Sequence, residues 1–173
     1  MKTPLLSDIA SLKCSSESEA TASGIENGCP SHLLLVEDSP HHVRLMQEAL
    51  SDVNSSMNLH VANDGVEAMA FLRHQGIDAD APRPDLILLD LNLPRMDGRE
   101  VLAHIKADDL LKTMPTVVLT TSDAEADVAK SYQLQANCYL TKPSQYDEFA
   151  SLMKSVNDFW LTRVKLPPQR PDA

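Results

Sequence analysis

A chain of 173 residues holds one domain of ordinary size plus extra segments. Its net charge of −10 and pI near 4.9 argue against nucleic acid or an anionic membrane surface as direct partner, since either would repel it. Of three cysteines, Cys14 and Cys29 stand in polar sequence and Cys138 in an apolar run, which indicates neither a disulfide framework nor a zinc pair. No apolar stretch is long enough to span a bilayer, so the cytosol is the expected location.

Residues 1–31, rich in Ser, Glu, Thr and Gly, read as a disordered lead segment in which Ile9, Leu12 and Lys13 support at most a weak helix. Their net charge is about −2, so the acidity belongs mainly to the remaining chain. From His32 onward, strand and helix patterns alternate five times. The apolar run Leu33–Val36 is the first strand; Ser39 caps a helix with Pro40 in its first turn and Val43, Met46, Leu50 and Val53 at helical spacing, ending near Asp52. Met57–Ala62 is the second strand, and Asp64 caps a helix whose expected apolar face is Val66, Met69, Ala70 and Leu72. A loop follows through Gly76 and 78–84, then a third strand, Leu86–Leu89. Residues 91–98 are a loop because Pro94 and Gly98 break regular structure, and Val101, Leu102 and Ile105 mark the third helix. Thr116–Thr121 is the fourth strand, Asp123 opens a helix with Val128, Ala129, Tyr132 and Leu134, and the fifth strand runs to Lys142-Pro143. Ser144 with Asp147 resembles a capping box for the last helix. Repeated β-α units imply an α/β fold: a doubly wound, five-stranded parallel sheet with five helices, spanning residues 32–165 and followed by a tail, 166–173.

The strand ends carry the chemistry. Glu37 and Asp38 follow the first strand, Asp90 the third, Thr120 ends the fourth and Lys142 follows the fifth. In an open parallel sheet these C-terminal ends meet at one crevice. Converging carboxylates repel one another unless a hard divalent cation neutralises them, and oxygen ligands suit Mg²⁺ or Mn²⁺. His41, His42 and His104 lack a metal-site spacing and are expected on helix surfaces.

Glu37-Asp38, Asp90 with Leu91-Asn92-Leu93-Pro94 and Asp97-Gly98, Thr120 and Lys142-Pro143 together resemble the receiver domain of two-component response regulators, a flavodoxin-like fold, over residues 32 to about 150. More narrowly, Asp64-Gly65-Val66-Glu67-Ala68, Ala136-Asn137-Cys138-Tyr139, Asp158-Phe159-Trp160-Leu161 and Leu166-Pro167 resemble the small response regulators that serve bacterial, chiefly cyanobacterial, phytochromes. The resemblance implies that Asp90 takes a phosphoryl group from a sensor histidine kinase, with a phytochrome as the expected kinase. It implies a metal ion held by Asp38, Asp90, Glu37 through water and the backbone carbonyl of Asn92, with Lys142 and the Thr120 hydroxyl on the phosphoryl oxygens. It makes Tyr139 either the family's aromatic switch or a static outer-strand residue, Thr121 a brake on hydrolysis through its bulk, and Lys142-Pro143 a cis candidate.

The last helix reads as overlong, with Tyr146, Phe149, Leu152, Met153, Val156, Phe159, Trp160 and Val164 at helical spacing. An apolar surplus at its end implies a homodimer interface on the fourth and fifth helices and fifth strand, built from Tyr146, Phe149, Phe159, Trp160 and Val164; the alternative is that Phe159 and Trp160 fold back on the monomer. The chain is expected not to be a turnover enzyme. A phosphoaspartate hydrolase of the haloacid dehalogenase type needs a second acid two residues after the nucleophile, where Asn92 stands. A receiver-like adaptor that is never phosphorylated and acts as a constitutive binding module is the other reading.

Overall fold

The computed structural model describes residues 31–51 and 57–168. The lead segment with Cys14 and Cys29, Val53 and the end of the tail lie outside them. Five parallel strands, β1 (His32–Val36), β2 (Asn58–Ala62), β3 (Leu86–Leu89), β4 (Thr116–Thr120) and β5 (Cys138–Thr141), form one sheet in the order β2-β1-β3-β4-β5. The helices are α1 (Pro40–Ser51), α2 (Gly65–Leu72), α3 (Gly98–Ala107), α4 (Glu125–Gln133) and α5 (Tyr146–Val156), with a short 3₁₀ turn at Gly76–Asp78.

Side chains alternate across a strand, so each apolar run feeds two cores. Leu34, Val36, Ile87, Leu89 and Val118 pack with α2 and α3, while Leu33, Leu35, Leu86, Leu88, Val117 and Leu119 pack with α1 and α5. The chain leaves β1 in one direction to reach β2 and crosses to the other side for β3. The crevice opens at this reversal, between β1 and β3.

Several local expectations change. The buried face of α2 is Gly65, Ala68, Met69, Phe71 and Leu72, whereas Val66 stands with Glu67 on the exposed side of the first turn. Helix α4 begins at Glu125, two residues after Asp123, with Ala124 at its cap position, and buries only Ser131 among its residues. Ser144 makes no capping box: Gln145 precedes α5 without a side-chain cap. The capping box belongs instead to α3, where Asp97 accepts from the Arg99 amide at 2.7 Å and Glu100 reaches back to the Asp97 amide at 3.2 Å. Asp64 caps α2 as expected, accepting from the Val66 and Glu67 amides at 2.8 and 2.9 Å. The Lys142-Pro143 peptide is trans.

Helix α5 does not continue as an α-helix. It widens into a π-helical segment, Asn157–Arg163, closed by a bond of 3.0 Å from the Val164 amide to the Phe159 carbonyl. This change of pitch lays Trp160 and Leu161 against the α1/α5 core and turns Phe159 outward, at 56 % exposure. The Phe159 and Trp160 rings meet edge to face, with centroids 5.5 Å apart. Phe149 is buried in the monomer's own core and presents no surface to a partner, which corrects its place in the expected interface. Tyr146 is exposed and Val164 half-buried.

Candidate functional site at the C-terminal end of the sheet

Register brings the strand ends level. Val36 pairs with Ala62 on one side and Leu89 on the other, and Thr120 pairs with Thr141, so Glu37, Asp90 and Lys142 each emerge one residue beyond a paired strand. All three are buried. The Lys142 Nζ donates to Glu37 Oε2 at 2.5 Å and also to Asp90 Oδ2. The other Asp90 oxygen accepts from the Asn92 amide at 3.1 Å. Two buried carboxylates thus share one ammonium, which leaves the site an excess of negative charge.

The loop between β3 and α3 wraps closely around Asp90. The Gly98 amide donates to the Leu91 carbonyl at 2.9 Å. A Cβ at Gly98 would stand 2.0 Å from the Asp90 carbonyl oxygen, so only glycine fits there. Arg95, at φ 64, donates at 2.7 Å to Asp64. Burial pushes the Asp64 carboxyl up, but the Arg95 bond and the two cap amides outweigh it and hold the group below its usual range.

Asp38 is exposed beside this cluster, and Asn92 is exposed on the loop. The Thr120 side chain is fully buried, and its hydroxyl oxygen lies 3.5 Å from the Ser122 amide. Thr121 is exposed. Tyr139 is half-buried against the α2/α3 core and donates its hydroxyl to the Ser122 carbonyl at 2.9 Å, and burial is the main cause that raises its phenol above the ordinary value.

Two contributors escaped the sequence analysis. His42 was expected on a helix surface; instead its Nδ1 lies 3.0 Å from Glu37 Oε1 and 3.5 Å from Lys142 Nζ. Ser39 sets this position, because its hydroxyl accepts from the His42 amide at 3.4 Å and turns the first helical residues back over β1. The second is an ion pair with no sequence signal: Arg99 donates to Asp127 at 2.6 Å, and Ser122 Oγ donates to the other Asp127 oxygen at 2.6 Å. The Ser122 and Arg99 hydrogen bonds hold Asp127 below its usual range. The network ties α3, the β4–α4 loop and α4 together.

The donor set suits a hard divalent cation: carboxylate oxygens converge with an uncompensated charge, and a loop backbone passes beside them. A parallel sheet with a buried carboxylate at its switch point, an ammonium on that carboxylate and a hydroxyl at a neighbouring strand end makes a charged crevice of the doubly wound α/β class, at the place where such sheets bind their ligands.

The chain matches the model of the response regulator receiver domain over residues 33–154, and it belongs to that family. It is 50% identical over 142 residues to response regulator Rcp1 of Synechocystis sp., covering 82% of this chain and 97% of that protein. Among solved structures it resembles the phosphorylated cyanobacterial phytochrome response regulator RcpA at 48% identity and a TM-score of 0.77, over 80% of this chain and 99% of that one. It also resembles the Mn²⁺-bound form of Rcp1 at 50% identity and a TM-score of 0.76, over 80% of this chain and 100% of that one. The chain is thus a response regulator receiver of the flavodoxin-like fold, related to the phytochrome response regulators. Among the described residues no helix is long and apolar enough to cross a membrane.

Proposed function

We propose that Asp90 accepts a phosphoryl group from a histidine kinase, and that the phosphorylated chain signals through its own surface. The observation that carries this reading is the burial of Asp90 and Glu37 against the single Lys142 ammonium at the end of the sheet. A buried ionic triad is weak evidence for stability, which turns attention to chemistry.

In the transfer, an Asp90 carboxylate oxygen forms the new P–O bond while the P–N bond of the phosphohistidine breaks, and the imidazole takes its electron pair. A carboxylate needs no general base, so catalysis is positioning and charge neutralisation. Lys142 already touches the Asp90 oxygen and supplies a point charge to the phosphoryl group; Thr120 supplies a hydroxyl donor. Asp38, Asp90, Glu37 through water and the Asn92 carbonyl would hold Mg²⁺ or Mn²⁺, which supplies charge neutralisation of the phosphoryl oxygens. The Mn²⁺-bound relative supports this assignment. The chain assists its own phosphorylation and dephosphorylation, and Thr121 beside the site shields the acyl phosphate from water.

Phosphorylation adds nearly two charges and shifts the Thr120–Ser122 loop and Tyr139 between two states, a coupling of ~1–3 kcal/mol. The likeness to the cyanobacterial phytochrome response regulator RcpA supports a phytochrome-type kinase as partner, and the proposed setting is the cytosol. The output surface is a homodimer on α4, β5 and α5 extended by Tyr146, Phe159, Trp160 and Val164, in which exposed Phe159 is the leading contact.

Intact-mass measurement with acetyl phosphate tests the acceptor. The wild type gains one phosphoryl group only with Mg²⁺, and Asp90→Asn gains none; light scattering on the same samples follows assembly. A wild type that gains nothing defeats the reading and favours the constitutive adaptor. A Phe159→Ala, Trp160→Ala protein that scatters as the wild type defeats the dimer alone.

A further inference from the structure

Between β3 and α3 the backbone makes two tight turns in succession. The Leu93 amide bonds to the Leu91 carbonyl at 3.1 Å and the Met96 amide to the Pro94 carbonyl at 2.7 Å, so Asn92 and Arg95 are each the central residue of a three-residue turn. Arg95 makes its turn at φ 64, the rare, strained form, which a residue other than glycine keeps only where its surroundings hold it. Those surroundings are the start of α2. Exposed Arg95 reaches across to Asp64 Oδ1 at 2.7 Å, the same oxygen that accepts from the Val66 and Glu67 amides. The next residue of the loop is held by contact: a Cβ at Gly65 would stand 2.5 Å from the Met96 carbonyl oxygen.

We propose that Asp64, Gly65 and Arg95 are positioning residues: the start of α2 clamps the β3–α3 loop, sets where the Asn92 backbone stands relative to the Asp90 carboxylate, and so sets the affinity for Mg²⁺. The inference rests on the reading that Asp90 and the Asn92 carbonyl hold the cation. Mg²⁺ demands near-ideal octahedral geometry, with ligands about 2.0–2.1 Å away, so a small shift of the loop weakens it. The same shift moves the Asn92 amide, which donates to Asp90 Oδ1 at 3.1 Å and orients the acceptor carboxylate. Glycine at position 95 would make the turn freely, whereas arginine makes it under strain and adds a bond from the loop to α2. Charge and position act here in opposite senses. A cation on the protein disfavours a second one, so on charge alone the loss of Arg95 tightens Mg²⁺ binding. Weaker binding on its loss is therefore the mark of position.

Calorimetric titration of the full chain with Mg²⁺ tests this. Arg95→Gly, which keeps the turn without strain and removes the bond to Asp64, is expected to bind Mg²⁺ roughly tenfold more weakly, as loss of an outer partner does. Arg95→Lys keeps a cation within reach of Asp64 and recovers most of that loss. Lys112→Ala, which removes the exposed pair with Asp109 between α3 and β4, causes no weakening. Urea unfolding in metal-free buffer runs beside the titrations. Relief of the strained turn offsets the lost ion pair, so Arg95→Gly unfolds at a midpoint close to that of the wild type. An Arg95→Gly protein that binds Mg²⁺ as tightly as the wild type, or more tightly, overturns the proposal and leaves the cation assignment under the proposed function standing. A weakening matched by collapse of the urea midpoint overturns it too, and so does an Arg95→Lys protein no better than Arg95→Gly. A wild type that binds no Mg²⁺ overturns the cation assignment as well.

Discussion

The two ends of the sheet solve one physical problem in opposite ways. At the N-terminal end the chain closes its polar groups with neutral or peripheral partners: the His32 amide donates to Asp85 at 2.8 Å, the buried Thr116 amide to the Asn137 side-chain oxygen at 2.9 Å, and Lys106 to the same oxygen at 2.9 Å. At the C-terminal end two carboxyl groups and an amine, those of Glu37, Asp90 and Lys142, are nearly dry and packed against one another. Burying an ion costs several kcal/mol even after relaxation, and the same strands are terminated without it at their other end. The buried charges are thus unnecessary for the fold, which separates the working end of the molecule from its scaffolding.

Lys142→Ala breaks this contrast most severely. With the ammonium gone, two carboxylates remain buried and uncompensated, so the protein loses about 3–5 kcal/mol in urea unfolding in a metal-free buffer. Millimolar Mg²⁺ restores part of the loss, because a cation that binds only the folded state stabilises it. A variant as stable as the wild type would mean that the triad is not ionised as described, and the contrast between the ends would fail.

Neutral contacts should behave alike wherever they lie. Asn137→Ala removes the acceptor of the buried Thr116 amide and costs about 1–2 kcal/mol, measured by the same unfolding curves. Tyr139→Phe, at the working end, removes only the hydrogen bond to the Ser122 carbonyl and costs about 0.5–1.5 kcal/mol. If Tyr139→Phe costs as much as Lys142→Ala, the network through Ser122, Asp127 and Arg99 is part of the buried ionic system and not a separate latch.

The working end was legible because a buried parallel strand writes itself as an apolar run, and the residue after the run must lie at the crevice. Glu37, Asp90, Thr120 and Lys142 followed from that rule and the β-α alternation alone. His42 did not, because its place depends on how α1 turns back over β1, which no run length encodes. Arg99 and Asp127 meet only through the packing of α3 beside α4. The capping box was misplaced at Ser144 although Asp97 and Glu100 show the same three-residue spacing; the tight approach of Gly98 to Asp90 is what anchors that cap. The π-helical widening after Val156 is equally silent in the hydrophobic period, yet it decides that Trp160 packs inward while Phe159 faces out.

The smallest effect belongs to the scaffolding end. His60 is held below its ordinary value of 6.5, first by burial and second by His32. Its ring meets His32 at 3.0 Å and lies against Phe71, with centroids 5.2 Å apart. The shared contact needs one ring nitrogen without a proton, so charging both rings breaks it. A depressed histidine is protonated more readily in the unfolded chain, so stability is kept above pH 6.5 and falls as pH drops through that value, with no further loss from this group once pH passes below its lowered folded value. Thermal melts from pH 8 to 5 should therefore show a steeper acid decline in the wild type than in His60→Asn, by an amount that screening at this half-exposed position keeps small. Parallel declines would mean that the His32–His60 contact contributes nothing to the acid sensitivity of the fold.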